Sequence, residues 1–169
     1  MFKESRHKTV SRIIEENLDY LVRFAYYRLG NRGEAEDLVY DAVLKFLERN
    51  NEKIKPESIR LYLFRIVYNL CQDYCRKQKQ EMVSIGDLDV ADMIDEVMDL
   101  EDADRINAIL DSLPLREADI IRMNVIDGLS FVEISSILAI PQSTAKSRYK
   151  SGMDKLRKQY INSKNSQHG

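Results

Sequence analysis

Tryptophan is absent from this chain of 169 residues, and glycine (6), proline (3) and cysteine (2) are scarce. Glycine and proline together are about half their usual share, which argues against a protein of tight turns and short strands. Two cysteines do not make a disulfide framework. Cys71 and Cys75 lie four apart in an amphipathic stretch, which stacks them on one helix face as free thiols. Only two histidines are present, His7 and His168, one near each end, so soft and imidazole ligands are too few for a metal site. Long apolar runs are missing too. The longest stretch without Asp, Glu, Lys or Arg is Ile134–Ala145, 12 residues, whereas a bilayer-spanning helix needs about 20. The opening MFKESRHKTVSR is basic but has no apolar run behind it and does not read as a secretory signal. The expectation is a cytoplasmic protein with no membrane insertion.

What the chain has is charge, at 32% of residues, and enough apolar side chains, at 44%, to build a core. The charge is segregated. Residues 1–80 hold 16 Lys and Arg against 12 Asp and Glu, and residues 105–169 hold 10 against 6. Residues 81–104 hold ten acidic residues and no basic one. Such a segment repels itself and predicts an acidic, flexible linker, with Leu88, Val90, Met93, Ile94, Val97, Met98 and Leu100 available for docking. An acidic strip can also stand in for nucleic acid against a basic surface. The fold expected is all-α: two small helical domains, 1–80 and 105–169, joined by the linker 81–104, the second ending in a helix-turn-helix.

Apolar spacing predicts the helices. Ile13, Ile14, Leu18, Leu21, Val22, Ala25 and Leu29 mark a first helix from about Val10, broken by Gly30-Asn31-Arg32-Gly33. Leu38, Val39, Ala42, Val43, Phe46 and Leu47 give the second its apolar face. Pro56 opens a third, with the stripe Ile59, Leu63, Ile66, Val67, Leu70, Cys71 and Tyr74. A helix over about 101–112 precedes one that starts at Leu113-Pro114, carries Ile120, Ile121, Met123 and Val125, and stops at Asp127-Gly128. Ser130-Phe131-Val132-Glu133 is a capping box that starts a short helix. Ala139-Ile140-Pro141 interrupts it, and another helix follows over about 142–160.

A short capped helix, a tight turn and a longer helix is the pattern of a helix-turn-helix, whose second helix enters the DNA major groove. Packing by Ile134, Ile137, Leu138, Ile140, Ala145, Tyr149 and Leu156 leaves Gln142, Ser143, Thr144, Lys146, Ser147, Arg148, Lys150 and Ser151 outward. Long cationic donors reach guanine or phosphate, Gln pairs with adenine, and small hydroxyls allow close approach to the backbone. The third helix interleaves Arg60, Arg65, Arg76, Lys77 and Lys79 with Tyr62, Phe64, Tyr68, Asn69 and Tyr74. Aromatics that stack on bases beside cations that track phosphates suit single-stranded DNA, although the core can equally claim Phe64 and Tyr74. No catalytic constellation or phosphate-binding glycine loop is present, so neither an enzyme nor a cofactor is expected.

The layout resembles the extracytoplasmic-function group of alternative sigma factors of bacterial RNA polymerase. AEDLVYDAVLKFLE (35–48) is similar to the group's core-polymerase-binding helix, and IRLYLFRIVYNLCQDYCRK (59–77) to its helix for the minus-ten element. Residues 113–157 are similar to its C-terminal helix-turn-helix. The resemblance implies that Asp37, Tyr40, Asp41 and Lys45 face the polymerase's largest subunit, with Leu38 in the core. It implies that Arg60, Tyr62, Arg65, Asn69, Asp73, Arg76 and Lys77 lie toward minus-ten DNA, and that Lys146, Ser147, Arg148, Lys150 and Ser151 read the minus-thirty-five element. The partners implied are core RNA polymerase, promoter DNA and an anti-sigma factor. Tyr40 stands where the group usually has Gln, Tyr62 where it has Trp, Pro141 where it has a hydroxyl cap, and Ser151-Gly152 where it has Arg-Ala. Gly152 weakens the reading helix by about 1 kcal/mol relative to Ala. Two other readings fit the residues: a stand-alone dimeric helix-turn-helix regulator, and a sigma-like interaction protein that never touches DNA.

Overall fold

The computed structural model describes residues 2–49, 52–81 and 98–167. Among them all regular structure is helical, and the chain divides into two compact units. The acidic residues of 82–97, with the docking candidates Leu88, Val90, Met93, Ile94 and Val97, lie outside the described residues.

The first unit packs α1 (Phe2–Leu29), α2 (Arg32–Glu48) and α3 (Pro56–Glu81). α1 begins eight residues before the start that apolar spacing predicts. Its first turns lack an apolar stripe but consist largely of good helix formers. They are also tied down, since Arg6 Nη2 donates to the Ile54 carbonyl at 2.8 Å. Gly30 ends the helix at φ +73°, a left-handed conformation that costs glycine little. Asn31 then caps α2, its Oδ1 accepting the Glu34 N–H at 3.0 Å. Leu21, Phe24 and Ala25 of α1 meet Val39, Ala42 and Phe46 of α2 and Ile59, Leu63, Phe64 and Val67 of α3 in the core. Phe24 and Phe64 meet edge to face at 5.3 Å.

The Arg28 guanidinium lies 3.5 Å from the centre of the Phe24 ring. Cys71 is buried, and burial pushes its thiol up to about 12, with Arg28 pulling the other way. Cys75 is half-buried, and its thiol donates to the Arg28 carbonyl at 3.6 Å.

The second unit holds α4 (Met98–Leu110), α5 (Leu115–Ile121), α6 (Phe131–Leu138) and α7 (Gln142–Gln167). α4 starts three residues earlier than expected, so the last part of the acidic segment, 98–104, is helical. Leu110, Leu113, Ala118 and Ile121 form the core, flanked by Ile106, Ile126, Tyr149, Met153 and Leu156. The helix predicted to run unbroken to Asp127 instead widens into a π turn over Arg122–Ile126, closed by the Asp127 N–H on the Arg122 carbonyl at 3.1 Å. This turn leaves Val125 half-exposed instead of in the core. It also turns Arg122 inward, where Nε donates to Asn107 Oδ1 at 2.7 Å and Nη1 to Asp119 Oδ1 at 3.1 Å. A buried guanidinium held on two elements fastens α4 to α5.

Candidate nucleic-acid interface

The helix-turn-helix is built as the sequence pattern requires. Ser130 Oγ accepts the Glu133 N–H at 3.2 Å while Glu133 reaches back to the Ser130 N–H, so two backbone donors at the start of α6 are met reciprocally. Ala139 closes α6 in the left-handed region, at φ +55°, and the chain re-enters helix at Gln142. Ile134 and Ile137 of α6 and Ala145 of α7 are buried, and Phe131 meets Tyr149 edge to face at 5.3 Å. These contacts set the crossing of the two helices.

On α7 the expected donors divide. Gln142, Ser143, Lys146, Ser147 and Lys150 are exposed, and four of them, Ser143, Lys146, Ser147 and Lys150, recur at helical spacing along one face. Thr144, Arg148 and Ser151 are half-buried. Ser151 is turned onto α5: its Oγ donates to Glu117 Oε1 at 2.8 Å. Lys155, one turn further on, meets both oxygens of Glu117, at 2.9 and 3.0 Å. The hydrogen bond from Lys155, helped by Ser151, holds the Glu117 carboxyl below the usual carboxylate range, against the opposing effect of burial. Gly152 is buried between these two residues.

On α3, Arg65, Asn69, Asp73, Arg76 and Lys77 are exposed and fall on one face, with Tyr62 half-buried at its N-terminal end against the Phe46 ring, 5.8 Å away. Arg76 pairs with Asp73 at 2.7 Å. Arg60 stands apart from this face, its guanidinium 5.2 Å from the centre of the Phe64 ring. Phe64 is buried, so of the two aromatics that the core could claim, it took this one.

On α2, Asp37, Tyr40, Asp41 and Lys45 all lie exposed along one face, while Leu38 is buried. Sequence spacing missed two neighbours. Leu44 and Leu47 are 55% and 54% exposed, making with Tyr40 (58%) an apolar strip beside the charged row Asp37, Asp41 and Lys45. Leu47 was expected in the core. Its alternation with Phe46, which is buried, offered both choices, and only packing against α1 and α3 decides.

Comparison with known proteins gives the family. The family model for sigma-70 region 2 matches residues 13–81, and that for sigma-70 region 4 matches residues 109–158. The chain is 31% identical to the ECF RNA polymerase sigma factor SigW of Bacillus subtilis over 161 residues, covering 87% of this chain and 86% of SigW. The chain belongs to the extracytoplasmic-function RNA polymerase sigma factors. Sigma factors of this group are transcription initiation factors and not enzymes, and the region 4 match covers α6 and α7 as far as residue 158. The fold agrees with two solved structures. One is the sigma factor RpoE in complex with the anti-sigma factor NepR from Bartonella quintana (TM-score 0.62, 22% identity, 93% of this chain and 94% of that one). The other is CnrH in complex with the cytosolic domain of CnrY (TM-score 0.66, 18% identity, 90% and 88%). Among the described residues no helix is long and apolar enough to cross a membrane.

Proposed function

We propose that this sigma factor works with a division of labour between its units. The domain 1–80 holds core RNA polymerase through the exposed face of α2 and minus-ten DNA through α3. The acidic segment 81–104 links it to the domain 105–169, which reads the minus-thirty-five element with α7. The observation that carries this reading is the exposed surface of α2, where Tyr40, Leu44 and Leu47 form an apolar strip alongside the row Asp37, Asp41 and Lys45. An apolar strip rimmed by charge on a well-packed helix has the composition of a protein-binding patch. On α3, cations and Asn69 share one exposed face with Tyr62 at its N-terminal end, which suits an unpaired strand. On α7, Ser143, Lys146, Ser147 and Lys150 offer hydroxyl and cationic donors to a groove.

The reading places the protein in the cytoplasm, where polymerase and chromosome are. That the neighbour RpoE is held by the anti-sigma factor NepR supports an anti-sigma factor among the partners here as well. Because the net charge is −2, attraction to DNA phosphates is weak overall, and tight promoter binding requires the polymerase. The test is a native gel of the chain mixed with core RNA polymerase. A complex that forms with the native chain and not with Asp41→Arg supports the reading. A chain that ignores core polymerase and shifts duplex DNA unaided, as a dimer, contradicts it.

A further inference from the structure

The contacts around Glu117 do more than stabilise the second unit. Ser151 and Lys155, four residues apart, lie on one face of α7 and both donate to a single carboxylate of α5, Ser151 to Oε1 at 2.8 Å and Lys155 to both oxygens at 2.9 and 3.0 Å. Between them Gly152 lets the two helix backbones approach. A Cβ there would stand 2.7 Å from Ile121 Cδ1 and 3.2 Å from Glu117 Cβ. The Glu117 side chain is only 13% exposed, so its carboxylate is largely shielded from solvent and held by these α7 donors. A helix held at two points one turn apart, with its backbone against a neighbour, cannot roll about its own axis.

The exposed face Ser143, Lys146, Ser147 and Lys150 is centred about a quarter turn around α7 from Ser151. A roll of about 20° would move the ends of those side chains by about 2 Å, which is enough to break a hydrogen bond about 2.9 Å long. We infer that Glu117 is a positioning residue for DNA reading: with Ser151 and Lys155 it forms a clasp that sets the roll of α7 and so decides which face meets the bases. Ser151 belongs to this clasp and not to the set of base-contacting donors. The inference rests on the reading of α7 as the minus-thirty-five reader.

The test uses the full chain bound to core polymerase. Wild-type holoenzyme first selects an upstream element from a random duplex pool. Binding to that duplex and to its scrambled version then gives a preference ratio for Glu117→Ala, Ser151→Ala, the double variant and Lys155→Met. Loss of folded protein lowers both bindings equally, so the ratio is blind to a merely structural defect. The clasp predicts that Glu117→Ala lowers the ratio on the order of tenfold, that Lys155→Met lowers it by less, and that Ser151→Ala adds nothing in the Glu117→Ala background. An unchanged ratio in Glu117→Ala overturns the inference. So does a Ser151→Ala loss of the same size in both backgrounds, because Ser151 would then touch DNA directly. If the wild-type holoenzyme selects no upstream sequence, the reading of α7 fails at that first step and the inference falls with it.

Discussion

Gly152 of α7 sits so close to Ile121 of α5 that an added Cβ would stand 2.7 Å from the Ile121 Cδ1. Helix propensity alone marks this glycine as a weakness, worth about 1 kcal/mol against alanine. Its surroundings reverse the sign, because Ile121 is buried and Glu117 Cβ closes the other side at 3.2 Å.

Gly152→Ala is therefore expected to destabilise the second unit. Overpacking a tight core costs about 1–3 kcal/mol, more than the helix gains, for a net loss of about 1 kcal/mol by thermal or urea unfolding. Adding Ile121→Val removes the atom in the way and should recover part of the loss. A stabilised Gly152→Ala variant would show that α5 and α7 are less closely packed than described.

Ala139 is the opposite case. It is exposed, lies at φ +55°, and ends α6 in the conformation that L residues rarely adopt. Ala139→Gly removes that strain, against the extra freedom glycine gives the unfolded chain. The expected result is a gain of about 0.5 kcal/mol in urea unfolding, with the turn of the helix-turn-helix unchanged.

The two cysteines should differ in reactivity. At pH 8 iodoacetamide is expected to label the half-buried Cys75 well before the buried Cys71, as read by peptide mass spectrometry. Burial raises the Cys71 thiol to about 12 from an ordinary 9.0. A raised thiol stabilises the fold fully below pH 9, and this contribution is lost as pH rises from 9 toward 12. The stability difference between the native chain and Cys71→Ala should accordingly shrink across that window.

Leu44 is 55% exposed, so Leu44→Glu should leave unfolding within about 0.5 kcal/mol of the native chain. Placed in the apolar strip of α2, the same charge should weaken binding to core polymerase by about 2 kcal/mol or more, seen as a shift in a fluorescence titration. Equal losses in stability and in binding would mean that the residue serves the fold instead.

Much of this was legible in the sequence because helices announce themselves locally. The spacing of Ile59, Leu63 and Val67, the Ser130–Glu133 box and the Ala139–Pro141 break each act within a few residues, and all three are seen. What was hidden depends on partners far along the chain. Ser151 looks like an outward donor until Glu117, 34 residues earlier, claims it. Leu47 and Phe46 both read as core by spacing, yet α2 buries Phe46 and leaves Leu47 exposed. The π turn at Arg122–Ile126 has no local mark either. An extra residue in a helical turn leaves the apolar pattern readable as plain helix, and the burial of Arg122 against Asn107 and Asp119 requires α4 to be in place.

On the proposed reading α2 recruits polymerase while α7 chooses where it starts. The most direct measurement is in vitro transcription of a genomic template by core polymerase, with starts mapped by sequencing of the transcripts. The native chain is expected to add a discrete set of starts that core alone lacks. Lys146→Ala with Lys150→Ala should bind core normally and lose that set. Starts identical to those of core alone, or a set untouched by the α7 substitutions, would contradict the account.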